Sequence, residues 1–413
     1  MSANGRRVVV TGMGLVSPCG ETVEENWLNI SAGRSGIDRI TAFDVSGFSS
    51  QIGGEVKSFD PLKYIDKKDA RRMDRSTQLA MAASVEAMRD LEGAEFDREN
   101  FGVVIGSGIG GILTFEEQHA VYLEKGPSKI SPFFIPLMII DMTSGLASIR
   151  YGLKGPNFAT VSACASGGHA IAMSYLLIKA GHADAMLTGG TEGTISPMAL
   201  GGFCSMKALS TRNDEPRRAS RPFDVDRDGF VMAEGAGIVL LEELAHARAR
   251  GATIYAELAG VGMTGDAYHM TAPAPGGIGP GEAMRRAVRD AGIGLDRVGY
   301  INAHGTSTKY NDKAEAEAIV AVFGGRDDLH VSSTKSCSGH MLGAAAGLEF
   351  IMTARALIEQ IMPPTANLDN IDPECAVNHV PNKAMPKEFE FALSNSLGFG
   401  GHNVSLLLRR FAD

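Results

Sequence analysis

Short apolar runs that stop at glycine recur along the whole chain, and each leads into a segment with helical spacing. Residues 8–10 run into Gly12, residues 101–105 into Gly106, and residues 185–188 into Gly189 and Gly190. Residues 158–162 and 236–241 complete the strands of the first part, with helices expected over 63–90 and 166–180. Beyond Gly251 the pattern resumes. Residues 254–258, 298–302, 330–333, 388–394 and 403–408 read as strands, and 281–291, 314–323 and 342–359 as helices. Strands alternating with helices predict an α/β fold with a largely parallel sheet. At 413 residues the chain exceeds one ordinary core, since domains usually run about 100–200 residues. Ser162-Ala163-Cys164 leading into a helix headed by small residues is echoed by residues 331–333 leading toward Gly339 and His340. The expectation is two similar βα halves, residues 1–250 and 251–413.

Composition narrows the function. Lys+Arg total 39 and Asp+Glu 48, a net charge of −9, so nucleic acid is a poor partner. The five cysteines are scattered with no CxxC pair, which argues against a disulfide framework or zinc ribbon and for a reducing, cytoplasmic setting. No apolar run approaches the roughly 20 residues of a membrane span. Arg6 and Arg7 before an apolar stretch imitate a signal peptide, but Gly12 and Gly14 break that stretch. It reads as a first buried strand.

Gly106-Ser107-Gly108-Ile109-Gly110-Gly111 matches G-x-G-x-x-G after a strand. A dinucleotide fold also needs an acidic residue at a second strand end about 20 positions on. Glu124 falls instead in a helical segment, so the glycines are read as packing or turn residues. P-loop, zincin and serine-hydrolase motifs are absent. Cys164 lies between a strand and a helix starting at Ala165, Ser166, Gly167 and Gly168. The positive end of that helix is expected to lower its thiol pKa. His304 and His340 also sit at strand-to-helix junctions, where parallel α/β folds bind ligands. One thiol and two imidazoles suit acyl transfer followed by enolate stabilisation. The glycine-rich turn from Asn395 to Asn403 can bring backbone N–H groups to an oxyanion.

Ser162-Ala163-Cys164, His304-Gly305-Thr306-Ser307-Thr308, Lys335 to Gly339-His340, and Gly398-Phe399-Gly400-Gly401 occur in this order. With Arg217–Gly229 and 266–271, they make the chain resemble the β-ketoacyl-[acyl-carrier-protein] synthases nearly end to end, most of all the elongating type II enzymes of bacterial fatty acid synthesis. The resemblance implies a thiolase-like fold of two similar halves layered αβαβα, usually a homodimer. It implies acyl carrier protein as partner, bringing substrates on phosphopantetheine, with no metal or further cofactor. Cys164 is implied as the acylated nucleophile, His304 and His340 as the decarboxylation and enolate pair, Lys335 as the holder of the histidine network and Glu349 as its acidic partner. The N–H groups of Cys164 and Phe399 are implied as the oxyanion hole, and Phe399 as a gate on the malonyl side. Thr306 and Thr308 are implied at pantetheine, Ile109 and Phe203 near the acyl pocket. Lys67, Lys68, Arg71, Arg72, Lys129 and Lys207 are implied as the docking surface for the acidic carrier. Lys309 stands where proline is frequent, Cys337-Ser338 where Met-Thr is usual, and Leu397 where Phe is frequent; these bear on chain-length preference. The rival readings are a stand-alone polyketide ketosynthase, a non-catalytic chain-length partner, which would lack the nucleophile, and a nicotinamide oxidoreductase using Gly106–Gly111.

Overall fold

In the computed structural model, residues 5–91 and 96–412 are described. The first strand, β1 (Val8–Val16), is buried along its whole length. Its Gly12 and Gly14 share one face, and helix α1 (Arg75–Ala87) lies directly on it. A Cβ at these positions would sit 2.0 Å from the Ala87 carbonyl oxygen and 1.9 Å from that of Ala83. The arrangement recurs in the second half. On β6 (Ala256–Gly265), a Cβ at Gly260 or Gly262 would lie 2.3 Å from the Ala287 oxygen or 1.9 Å from the Ala283 oxygen, both on helix α5 (Ile278–Asp290). Alternate glycines on a strand facing alanines four apart on a helix are what allow so close an approach.

The other sheet strands are β2 (Phe101–Gly106), β3 (Asn157–Phe158), β4 (Ala185–Glu192) and β5 (Gly235–Glu243), then β7 (Val298–Asn302), β8 (His330–Ser332), β9 (Phe391–Gly398) and β10 (His402–Arg410). Their order across one ten-stranded sheet is β8-β7-β9-β10-β6-β1-β5-β4-β2-β3. Read outward from the centre, the order β1-β5-β4-β2-β3 mirrors β6-β10-β9-β7-β8. The two sets join where β1 pairs antiparallel with β6, Val8 opposite Leu258 and Val10 opposite Ala256. The sheet is mixed, which corrects the expectation of a largely parallel one. Pairs β2–β3, β2–β4, β7–β8 and β7–β9 are parallel, and β1–β5, β4–β5, β6–β10 and β9–β10 are antiparallel. Strands linked by short turns, such as β9–β10 through Gly398 and His402, must run antiparallel.

Helices α4 (Ser166–Lys179) and α7 (Ala345–Glu359) fill the space between the two sheet halves, each touching strands of both. Gly168 on α4 faces Val404 of β10, and Gly347 on α7 faces Gly237 of β5. With α1 and α5 outside, the layers run α, β, α, β, α; α2 (Ile112–Lys125), α3 (Met142–Tyr151) and α6 (Lys309–Phe323) are the remaining long helices. The predicted helix over 63–90 is interrupted. A one-turn helix at Lys67–Ala70 is separated from α1 by Asp74, whose carboxylate accepts from Ser76 N at 3.1 Å and Thr114 Oγ1 at 2.6 Å. The strand expected over 158–162 stops at Phe158. From Thr160 onward, local bonds replace the ladder: Thr160 Oγ1 donates to the Ser166 carbonyl at 2.8 Å, and Ser162 N donates to Ser166 Oγ at 2.9 Å.

Candidate active site

The turn Ala163–Ala165 carries Cys164 into α4. Ala163 has φ 51, a left-handed conformation that costs a non-glycine residue about 1–2 kcal/mol. It is held because Ser166 Oγ donates to its carbonyl at 2.7 Å. Gly398, closing β9, lets the neighbouring strand reach this turn, since a Cβ there would lie 2.5 Å from the Ser162 oxygen and 3.3 Å from Cys164 N. The N–H groups of Phe399 and of Cys164 itself both act on the Cys164 sulfur. Two converging backbone donors at a nucleophile are the makings of an oxyanion hole. Burial pushes the thiol up to about 12, with Lys335 pulling it down and the Glu192 carboxylate pushing it up. This corrects the expectation of a lowered pKa. The helix dipole is visible in the sequence, but the buried setting that outweighs it is not.

His304 and His340 meet beside this turn, their ring centroids 5.3 Å apart at 84°. Burial, then the positive charge of Lys335, holds both well below the ordinary histidine range, and for His304 the neighbouring His340 adds to this. Both imidazoles are therefore neutral at pH 7. Lys335 Nζ lies 3.2 Å from His304 Nδ1. An ammonium can only donate, so Nδ1 accepts and the His304 proton resides on Nε2. Lys335 is also ion-paired with Glu349, both side chains 1% exposed, and burial pushes Glu349 up to about 7. His340 stacks edge-on against Phe230 at 5.3 Å. Phe230 in turn meets Phe203 at 5.2 Å, and Phe203 packs against the apolar cluster that contains Cys164, Ile195, Leu200 and Leu342. Thr306 and Thr308 hydroxyls are 2.9 Å apart, and Phe399 is half-buried.

Ile109 is 37% exposed, and Ile112 of the same segment packs against the cluster. Lys67, Lys68, Arg71, Arg72, Lys129 and Lys207 are all exposed. Arg72 lies 4.9 Å above the Phe133 ring, four residues from Lys129. Cys337 is fully buried and pushed up to about 12 by that burial. The Gly106–Gly111 turn has its donors in use. Gly108 N and Ile109 N bond the Glu192 carboxylate at 2.8 and 3.2 Å, leaving no cradle for a pyrophosphate. Two open surface clefts of about 480 and 550 Å³ lie around Pro18 and Cys19; Cys164, His304 and His340 line neither.

Several site residues escaped the sequence reading. Glu315 accepts from His304 N at 2.9 Å, Gly305 N at 2.8 Å and Asn395 Nδ2 at 3.2 Å. Asp312 accepts from Thr306 N at 2.9 Å. Arg227, 1% exposed on its side chain, pairs with Asp312 at 3.5 Å and donates to the Thr308 and Lys309 carbonyls at 3.2 Å. The available signal was acidic residues inside the alanine-rich helix Lys309–Phe323, at positions flanking the buried Ala314, Ala316 and Ala318.

Residues 5–247 match the N-terminal domain of beta-ketoacyl synthases and residues 255–369 the C-terminal domain. A 3-oxoacyl-[acyl-carrier-protein] synthase 2 from Synechocystis is 50% identical over 409 residues, 98% of each chain. A beta-ketoacyl synthase from Burkholderia phymatum superposes with a TM-score of 0.92 at 36% identity, covering 99% of this chain and 100% of the other. A type II polyketide ketosynthase, solved in complex with its acyl-carrier protein and bound to a hexaketide, superposes with a TM-score of 0.91 at 33% identity, covering 98% of this chain and 100% of that one. No helix among the described residues is long and apolar enough to cross a membrane. With the thiol, the two imidazoles and the buried ion pair arranged as above, and both domains matched in order, the chain belongs to the beta-ketoacyl synthase family.

Proposed function

We propose that the chain is an elongating 3-oxoacyl-[acyl-carrier-protein] synthase of fatty acid synthesis, working by decarboxylative Claisen condensation. The observation that carries this reading is Lys335 lying between Glu349 and His304, which leaves two neutral imidazoles beside a thiol under two backbone donors. Cys164 attacks the thioester of an acyl-carrier, gives its proton to the departing carrier thiol overall, and keeps the acyl group. Malonyl-carrier then loses CO₂, and its C–C bonding pair becomes the enolate. Neutral His304, with its proton on Nε2, and His340 donate to the enolate oxygen. The enolate carbon attacks the acyl-enzyme, the oxyanion is held by Cys164 N and Phe399 N, and collapse returns the thiolate and releases a 3-oxoacyl-carrier two carbons longer.

Phe399 gates the malonyl side, Thr306 and Thr308 contact pantetheine, and Phe203 and Ile109 border the acyl chain. The carrier, acidic as the family resemblance implies, docks on Lys67, Lys68, Arg71, Arg72, Lys129 and Lys207, in an encounter that salt weakens. No metal or cofactor takes part beyond the carrier's phosphopantetheine. The halves are residues 1–250 and 251–413, and the setting is cytoplasmic. A homodimer forms through edge strand β3 and the exposed apolar residues around it, including Ile149 and Val161; exposed apolar groups of this kind mark protein contacts.

A polyketide ketosynthase is the second reading, favoured by the fold match to that class. The purified enzyme, supplied with acyl-carrier and excess malonyl-carrier and no reductase, separates the two. A product one two-carbon unit longer by mass spectrometry is expected. A run of unreduced additions supports the polyketide reading, and the absence of any condensation rejects both.

A further inference from the structure

The mirrored halves give the nucleophile turn a counterpart. Turn Ala163–Ala165 precedes α4, and turn Leu342–Ala344 precedes α7. Ala163 at φ 51 is matched by Leu342 at φ 47. Cys164 thus corresponds to Gly343, and Gly398, the last residue of β9, to Glu192, the last residue of β4. Around Cys164 the backbone donors face a thiol. Around Gly343 they face a side chain. The Glu192 carboxylate, 0% exposed, accepts from Gly343 N at 2.9 Å, Gly108 N at 2.8 Å, Ile109 N at 3.2 Å and Ser107 Oγ at 2.9 Å. Backbone N–H groups converging in this way form an anion-binding nest, and here the chain fills it from within. The fit is tight, since a Cβ on Gly343 would come within 2.3 Å of Gly108 N, and one on Gly108 within 3.4 Å of the Ala163 oxygen.

We propose that Glu192 is a positioning residue for Cys164: it occupies Gly343 N, the second half's counterpart of Cys164 N, ties the Gly106–Ile109 turn to the Gly343 turn, and sets a negative charge behind the nucleophile. Its charge opposes that of Lys335 on the thiol. The other titratable groups around the thiol are the neutral His304 and His340, Glu349, which is paired with Lys335, Glu315, which accepts from His304 N, and His169 on α4, whose Nδ1 lies 2.6 Å from Ser162 Oγ and which burial and His402 hold down at about 4. Burial acts most strongly on the thiol, and on top of it Lys335 and Glu192 pull with opposite sign. The proposal rests on Cys164 being the reactive thiol, not on the condensation itself.

The test is the rate of iodoacetamide alkylation at Cys164, read by peptide mass spectrometry across pH. Glu192→Gln removes the charge and keeps the shape. One like charge fewer lowers the thiol pKa by about one unit. At pH 8 the roughly tenfold gain in thiolate, offset by lower intrinsic nucleophilicity, leaves alkylation about threefold faster. Ser107→Ala, which keeps the charge, leaves the rate at pH 8 unchanged. An unchanged rate in folded Glu192→Gln overturns the proposal. If that variant does not fold, the wild type decides, because protonating Glu192 at acid pH must act as glutamine does. The plot of log rate against pH then shows a shallow step, and Ser107→Ala, by withdrawing a donor, moves it to higher pH. A step that is absent, or that Ser107→Ala fails to move, overturns the proposal. Failure to alkylate Cys164 at any pH instead points to an error in the Cys164 reading.

Discussion

The Lys335 ammonium is held at 1% exposure between the Glu349 carboxylate and His304 Nδ1. Removing one partner of a buried pair leaves an uncompensated charge and typically costs 3–5 kcal/mol, whereas replacing both with apolar groups is often near neutral. Lys335→Met is therefore expected to lose about 3 kcal/mol in urea unfolding. Lys335→Met with Glu349→Met recovers most of that loss without recovering condensation, because the bond that fixes the His304 tautomer is gone. A double variant no more stable than the single one contradicts this picture of the pair. Cys164, His304 and His340 stand out in the sequence because each sits at a strand-to-helix junction, whereas Lys335 and Glu349 come only through the family resemblance. Glu192, Glu315, Asp312 and Arg227 do not stand out, because a charged residue on a helix or at a strand end is ordinary until its burial is known. The thiol pKa was misjudged for the same reason.

Elements are held to one another here by missing side chains. Gly14 and Gly262 occupy equivalent places on β1 and β6, and a Cβ on either would meet a helix carbonyl oxygen at 1.9 Å. Backbone cannot swing aside as a side chain can, so the helix itself must shift, and overpacking of this kind costs about 1–3 kcal/mol. Gly14→Ala and Gly262→Ala are each expected to lower the urea midpoint, by similar amounts, through separation of α1 from β1 and of α5 from β6. Unchanged midpoints contradict that packing. The strand β7 was read over its full observed length, because Val298 to Asn302 is bounded by polar turns. The break between Lys67–Ala70 and α1 was missed because the basic run keeps helical spacing while Asp74 is engaged by Thr114, forty residues away. The antiparallel half of the sheet was missed because alternating strand and helix signals do not reveal which strands are joined by turns alone.

At the scale of the whole molecule, the strand order is mirrored about the β1–β6 seam within one sheet, and one hydrophobic cluster draws residues from both sides of it. The internal echo was visible in sequence, although it set the Cys164 turn against residues 331–340. The structure matches it to Leu342–Ala344. The mirrored halves divide the labour. One half keeps a thiol in its turn, the other keeps a glycine over a buried carboxylate and contributes the histidines. In this mechanism Cys164 alone receives the acyl group. Incubating the protein with acyl-carrier, without malonyl-carrier, and mapping the peptides by mass spectrometry tests it directly. A single acyl adduct on Cys164, absent from Cys164→Ala, is expected; an adduct on another residue, or one that persists in Cys164→Ala, overturns the assignment of Cys164 as nucleophile.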